Sequence, residues 1–197
     1  MLSTLKQAVS FVAAANLAYF IIEFAVASQI GSVSLFADSV DFLEDASVNL
    51  LILVALRWSA KARAKLGMVL AGILLMPAVA TLWTAWSKFA LPMPPAPLPM
   101  TLTGLGALGV NLTCALVLAR FRHHGGSLSR AAFLSARNDA LANIAIMAAA
   151  GLAMIYPSAW PDLIVGLGIA ILNADAARAV FSAARAEHLS AELERDG

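Results

Sequence analysis

Apolar residues fill six stretches of the 197-residue chain, near 9–29, 33–56, 67–90, 100–119, 131–156 and 161–181, and polar residues gather between them. About 20 residues is the length that carries an α-helix across roughly 30 Å of hydrocarbon. The connections are short and of two kinds. Gly31-Ser32 is an uncharged tight turn, Pro92 to Pro99 holds five prolines and no charge, and 156–162 has neither Lys nor Arg. By contrast, Arg57 to Lys65 carries Arg57, Lys61, Arg63 and Lys65, and Arg120 to Arg130 carries Arg120, Arg122, His123, His124 and Arg130. Basic and non-basic connections therefore alternate, with Lys88 as the exception. Positive charge collects on the cytoplasmic side of membrane proteins. That rule puts both termini and the second and fourth connections inside. Trp58, Trp83, Trp86 and Trp160 fall near span ends, where interfacial anchors belong. The pattern predicts an all-α membrane protein: six transmembrane helices, N-in and C-in, in two three-helix halves. Residues 1–181 form the membrane domain, and 182–197 a short cytoplasmic helical tail.

Composition agrees. Hydrophobic residues make up 61% and charged residues 13%, with a mean hydropathy of +0.83, against roughly 25% charged in a soluble domain. Six spans leave no room for a folded soluble domain. A net charge of +1 gives no footprint for nucleic acid, whereas the lipid bilayer is an expected partner. Cys114 is the single cysteine, so an internal disulfide and a Cys-x-x-Cys metal knuckle are excluded, and a buried, inert thiol is expected. Lys6 before an apolar run resembles a signal peptide. The run continues to Ile30 and includes Asn16 and Glu23, which marks it as a retained first span.

The second stretch breaks the apolar rule. It contains Asp38, Asp41, Glu44 and Asp45, and each charge near a bilayer centre costs at least roughly 2.5–3.5 kcal/mol on insertion scales. Asp38, Asp41 and Asp45 step by three and then four, so they share one helix face, continued by Ser34 and Asn49. Glu44 lies off that stripe. Oxygen ligands one turn apart on a rigid helix converge on a divalent cation with little reorganisation.

The fifth stretch carries a second cluster. Ser135, Asp139 and Asn143 are one turn apart on one face, with Asn138 and Arg137 on others. Asp45-Ala-Ser-Val-Asn49-Leu echoes Asp139-Ala-Leu-Ala-Asn143-Ile, with Glu44 against Asn138 and Asp41 against Ser135. Spans two and five are the middle members of the two halves and run antiparallel in this topology. Inverted repeats of that kind place their site near the midplane. At 1.5 Å per residue, Asp45 lies about 18 Å into its helix and Asp139 about 12 Å from the opposite face, depths at which the two can meet. For Asn16, Asn49, Asn111 and Asn143, packing through interhelical hydrogen bonds is an equal alternative to a part in the site.

Gly31-Ser-Val-Ser-Leu-Phe-Ala-Asp38-Ser-Val-Asp41-Phe-Leu-Glu-Asp45 resembles the second-helix signature of cation diffusion facilitators, six-helix exporters of divalent metals. Trp160-Pro-Asp162, followed by Gly166 and Gly168, resembles the start of that family's sixth helix, and Asn16 and Glu23 suit its first. The resemblance implies a four-ligand site built from a His/Asp-x-x-x-Asp pair on helix two and a similar pair on helix five. Here the first pair is Asp41 and Asp45, and the fifth-helix aspartate is Asp139. The expected ligand four residues earlier is Ser135, a poorer one, for which Asn138 is an alternative. The family's cytoplasmic ferredoxin-like domain finds no counterpart, so dimerisation through it is not expected and a homodimer stays open.

The expected metal set is therefore Asp41, Asp45 and Asp139, with Ser135, Asp38 and Asn138 in support. No permanently bound cofactor and no enzymatic activity are expected, and the divalent cation is substrate. An all-oxygen site suits manganese and similar harder ions, while affinity order favours later metals, so Mn, Fe, Co and Zn all remain in view. Metal ligands must shed protons to bind, so the two compete and proton/metal antiport is expected; the expected location is a bacterial inner membrane. A non-transporting intramembrane metal-binding or assembly protein is the alternative. An intramembrane aspartyl protease fits less well, because Gly166-Leu-Gly168 is followed by Ile169 where a Gly-x-Gly-Asp motif would need aspartate.

Overall fold

The computed structural model describes residues 4–55, 60–120 and 126–172. These form six helices and no strand: α1 Leu5–Ile30, α2 Val33–Ala55, α3 Ala60–Ala90, α4 Pro97–Ala119, α5 Gly126–Ile155 and α6 Trp160–Leu172. Each expected span meets a helix, but several helices start earlier than the apolar stretches do. α1 begins at Leu5 rather than 9, α3 at Ala60 rather than 67, and α5 at Gly126 rather than 131. Backbone hydrogen bonding does not stop where apolarity stops, and Lys, Arg and Ala are strong helix formers. Lys61, Arg63 and Lys65 thus stand on α3 and not in a connection. The expected tail, 182–197, lies outside the described residues.

Local signals fix the ends. Thr4 and Gln7 close a reciprocal capping box at the start of α1, with both side-chain-to-backbone bonds at 3.3 Å. Gly31 ends α1 at φ 64°, a left-handed conformation that glycine adopts without penalty. Ser32 then starts α2, its Oγ accepting from the Leu35 N–H at 3.2 Å. Pro97 and Pro99 fall in the first turn of α4, where a missing N–H costs nothing.

The start of α2 is also tied to α6. Asp162 accepts from Ser32 Oγ (2.7 Å), Ser34 Oγ (2.7 Å), the Val33 N–H (2.9 Å) and the Ser34 N–H (3.1 Å). Lys88 from α3 completes the node, Nζ to Oδ2 at 2.8 Å. A carboxylate at a helix N-terminus satisfies orphan N–H groups and the helix dipole together. Lys88, the exception to the charge alternation, is thus buried as the partner of Asp162.

Four helices make the centre. α1 and α2 form a hairpin in which Phe24 meets Phe36 (centroids 5.4 Å) and Tyr19 meets Phe42 (5.0 Å). α4 lies along α5, where a Cβ on Gly104 would stand 3.2 Å from Met147 and 3.5 Å from Ile146. α1 crosses α4 with descending register: Val12 packs on Cys114, Ala115 and Leu118, while Tyr19 Oη donates to the Thr103 carbonyl at 2.6 Å. The two helices are therefore antiparallel. A small-residue core of Ala27, Ala37, Ala149 and Ala150 lets backbones approach closely.

The polarity is inside out. Asn16, Glu23, Asp38 and Asn143 are fully buried, whereas Ile21, Leu116, Trp83 and Ile171 lie 62–71% exposed on the outside. Among the described residues, α1, α4 and the Asn138–Ile155 part of α5 are long and apolar enough to cross a membrane. α2 has the length, at 23 residues, but carries four acids. Its polar face is sheltered by the other helices.

Candidate metal site between α2 and α5

α2 positions three of the expected ligands and α5 the fourth. Asp38 is fully buried, and Asp41, Glu44, Asp45 and Asp139 are half-buried. Across the interface, Asp41 lies within electrostatic reach of Asp139. Asp139 also lies within electrostatic reach of Asp45, Asp38 and Glu44. Farther along, Asn143 approaches Asp38. Lower numbers on α2 therefore face higher numbers on α5, so these helices too are antiparallel. Asp41, Asp45 and Asp139 share one electrostatic neighbourhood where α2 meets α5.

They do not form a closed shell. Among the described residues, no three His, Cys, Asp or Glu side chains gather tightly enough to hold one metal ion. Asn138 is exposed. Ser135 lies on α5, one turn before Asp139, with its side chain outside the described residues, as are His123 and His124 in the preceding connection.

The echoed sequence segments share a structural detail. Asn49 Nδ2 donates to the Asp45 carbonyl at 2.7 Å, and Asn143 Nδ2 donates to the Asp139 carbonyl at 2.8 Å. Both leave a buried Oδ1 without a partner. The first helices of the two halves match as well: Asn16 of α1 and Asn111 of α4 are buried, each with an unpartnered Nδ2. Cys114 Sγ lies 4.0 Å from Asn16 Oδ1, and the thiol is free and buried as expected.

Glu23 joins the cluster from α1. Its carboxylate approaches that of Asp38, yet neither makes a well-formed hydrogen bond. The sequence offered a signal for it, since Asn16 and Glu23 are two turns apart on one face of an apolar helix. Asp162 was legible as a family-like residue, but its binding of the α2 N-terminus was not.

Residues 9–187 match the cation efflux transmembrane domain, and the chain belongs to that family, that of the cation diffusion facilitators. It is a multi-pass membrane protein of metal cation transport. No curated protein sequence matches it.

Proposed function

We propose that this member of the cation efflux family exports divalent metal ions in exchange for protons, through six spans with both termini in the cytoplasm of a bacterial cell. The ion binds between α2 and α5 on Asp41, Asp45 and Asp139, with Asp38 in reach and Ser135 or Asn138 completing the set. The meeting of Asp139 with Asp41 and Asp45 across antiparallel helices carries this reading. Three carboxylates gathered between two membrane helices are costly to retain, and a divalent cation offsets their charge.

The open arrangement of the three acids fits a carrier. A site that must take up and release its ion cannot be a closed cage in every conformation. Small movements of α5 against α2 tighten or loosen the shell, which is the logic of alternating access around a midplane site. Proton coupling follows, because the same oxygens take either protons or metal.

Reconstitution in proteoliposomes tests the reading with Mn(II), Fe(II), Co(II) and Zn(II), with and without a pH gradient. Metal flux accelerated by an opposing proton gradient is expected. Binding without flux would leave a non-transporting metal-binding membrane protein instead.

A further inference from the structure

We infer that Glu23, Asp38 and Asn143 form a second cation station in the bundle, adjoining the site of Asp41, Asp45 and Asp139 through Asp38 and filled in alternation with it. It draws on three helices, α1, α2 and α5. All three side chains are fully buried. Asp38 faces Glu23 across the α1–α2 hairpin, between the Tyr19–Phe42 and Phe24–Phe36 ring contacts, and adjoins Asn143 of α5. Both oxygens of Glu23, both of Asp38 and the Oδ1 of Asn143 lack a well-formed hydrogen bond. Native interiors satisfy nearly all such groups, so five orphaned oxygens at one point call for an occupant.

The surroundings narrow what it is. Tyr19 lies near both acids, but its phenol hydrogen is committed to the Thr103 carbonyl. Among the described residues, no basic side chain pairs with either acid; Lys88 is bound to Asp162. The two acids therefore hold either a shared proton or a small cation, which compete for the same oxygens. Two carboxylates and an amide oxygen are hard donors, which suits Mn(II) or a similar divalent ion better than a thiolate- or imidazole-seeking one.

Position gives the station a role. Asp38 precedes Asp41 by three residues and Asp45 by seven, about 4.5 and 10 Å along the helix, and Asn143 follows Asp139 by four, about 6 Å. The second station thus lies toward the end of the bundle held by Asp162. Two divalent ions that close together in a low-dielectric interior repel strongly, so one ion occupies the stations in turn. This deepens the proposed function and rests on its reading of α2 and α5 as the ion path, but binding at the station is measurable without transport.

The test is Mn(II) binding to purified full-length protein, read from loss of the free Mn(II) signal in electron paramagnetic resonance. Wild type binds about one ion per chain. The Asp45→Asn/Asp139→Asn variant keeps one ion, and adding Glu23→Gln weakens that binding by about 10- to 100-fold, the scale seen when a metal site loses support. Asn143→Asp on the same double variant adds a carboxylate and tightens binding about tenfold, which keeps the test decisive should the triple variant not fold. Loss of all binding in the Asp45→Asn/Asp139→Asn variant overturns the second station, and so does indifference to both later changes. If the station binds as expected while wild type shows no flux in proteoliposomes, the transport reading falls and the station stands.

Discussion

Asn49 and Asn143 make the same bond in opposite directions: each amide donates to the carbonyl four residues before it, Asp45 in α2 and Asp139 in α5. Because the two helices are antiparallel, the two bonds point in opposite directions along the bundle. An amide that holds an aspartate's backbone one turn away fixes that aspartate's place along the helix. Both halves therefore present their acid on the same kind of support, and the repeat lies in the chemistry as well as in the letters.

Asp45→Asn and Asp139→Asn each remove one charge at nearly constant shape. Flux in proteoliposomes should fall to background in both, while expression and membrane insertion stay at wild-type levels. Normal flux in either variant would remove that residue from the ion path.

Lys88 and Asp162 should behave as a coupled pair. Removing one partner of a buried ion pair costs about 3–5 kcal/mol. The four bonds from α2 that Asp162 retains place Lys88→Met near the lower end, about 3 kcal/mol. On an Asp162→Asn background the same change should cost little, because no buried carboxylate is left bare. Thermal unfolding of the four proteins in detergent closes the cycle. Equal costs on both backgrounds would mean that the two residues do not interact.

Gly166 sits where α6 touches the first turn of α2. A Cβ there would stand 2.6 Å from the Val33 carbonyl carbon and 2.7 Å from the Ser34 nitrogen, backbone atoms that cannot swing aside. Gly166→Ala should therefore lower stability by about 1–3 kcal/mol, the range for overpacking. Gly168 on the same helix meets nothing within 4 Å. Gly168→Ala should be neutral or slightly stabilising, as alanine is favoured in a helix, and it serves as the control in the same melting experiment.

The helices and the acidic stripe were legible because their signals are local. Six apolar runs give six helices, and steps of three and four put Asp38, Asp41 and Asp45 on one face. The repeat pointed to Asp139, on a helix running the other way, as their counterpart. What did not show was contact between distant segments. Nothing in the letters around Asp162 says that it will bind Ser32, Val33, Ser34 and Lys88, since that needs the return of α6 to the Gly31 turn. Glu23 looked like one acid in an apolar helix until the α1–α2 hairpin set it against Asp38. Helix starts were misjudged where polar residues prolong α3 and α5, because hydropathy reports the lipid contact and not the hydrogen-bond ladder.

Selectivity gives the sharpest test of the α5 corner. Ser135 lies one turn before Asp139 on α5, and the echoed position in α2 is Asp41. A serine hydroxyl is neutral and a poor ligand for transition metals, so the wild-type site leans on its carboxylates and on water. Changing Ser135→His places an imidazole at that step, and imidazole suits zinc better than manganese. The zinc-to-manganese affinity ratio should rise roughly tenfold, equivalent to about 1.4 kcal/mol, and slower release should lower maximal zinc flux. Competitive binding of the two metals to purified wild type and variant provides the measurement. An unchanged ratio would mean that position 135 does not face the ion, and the fourth ligand must then come from Asn138, from Asp38 or from water.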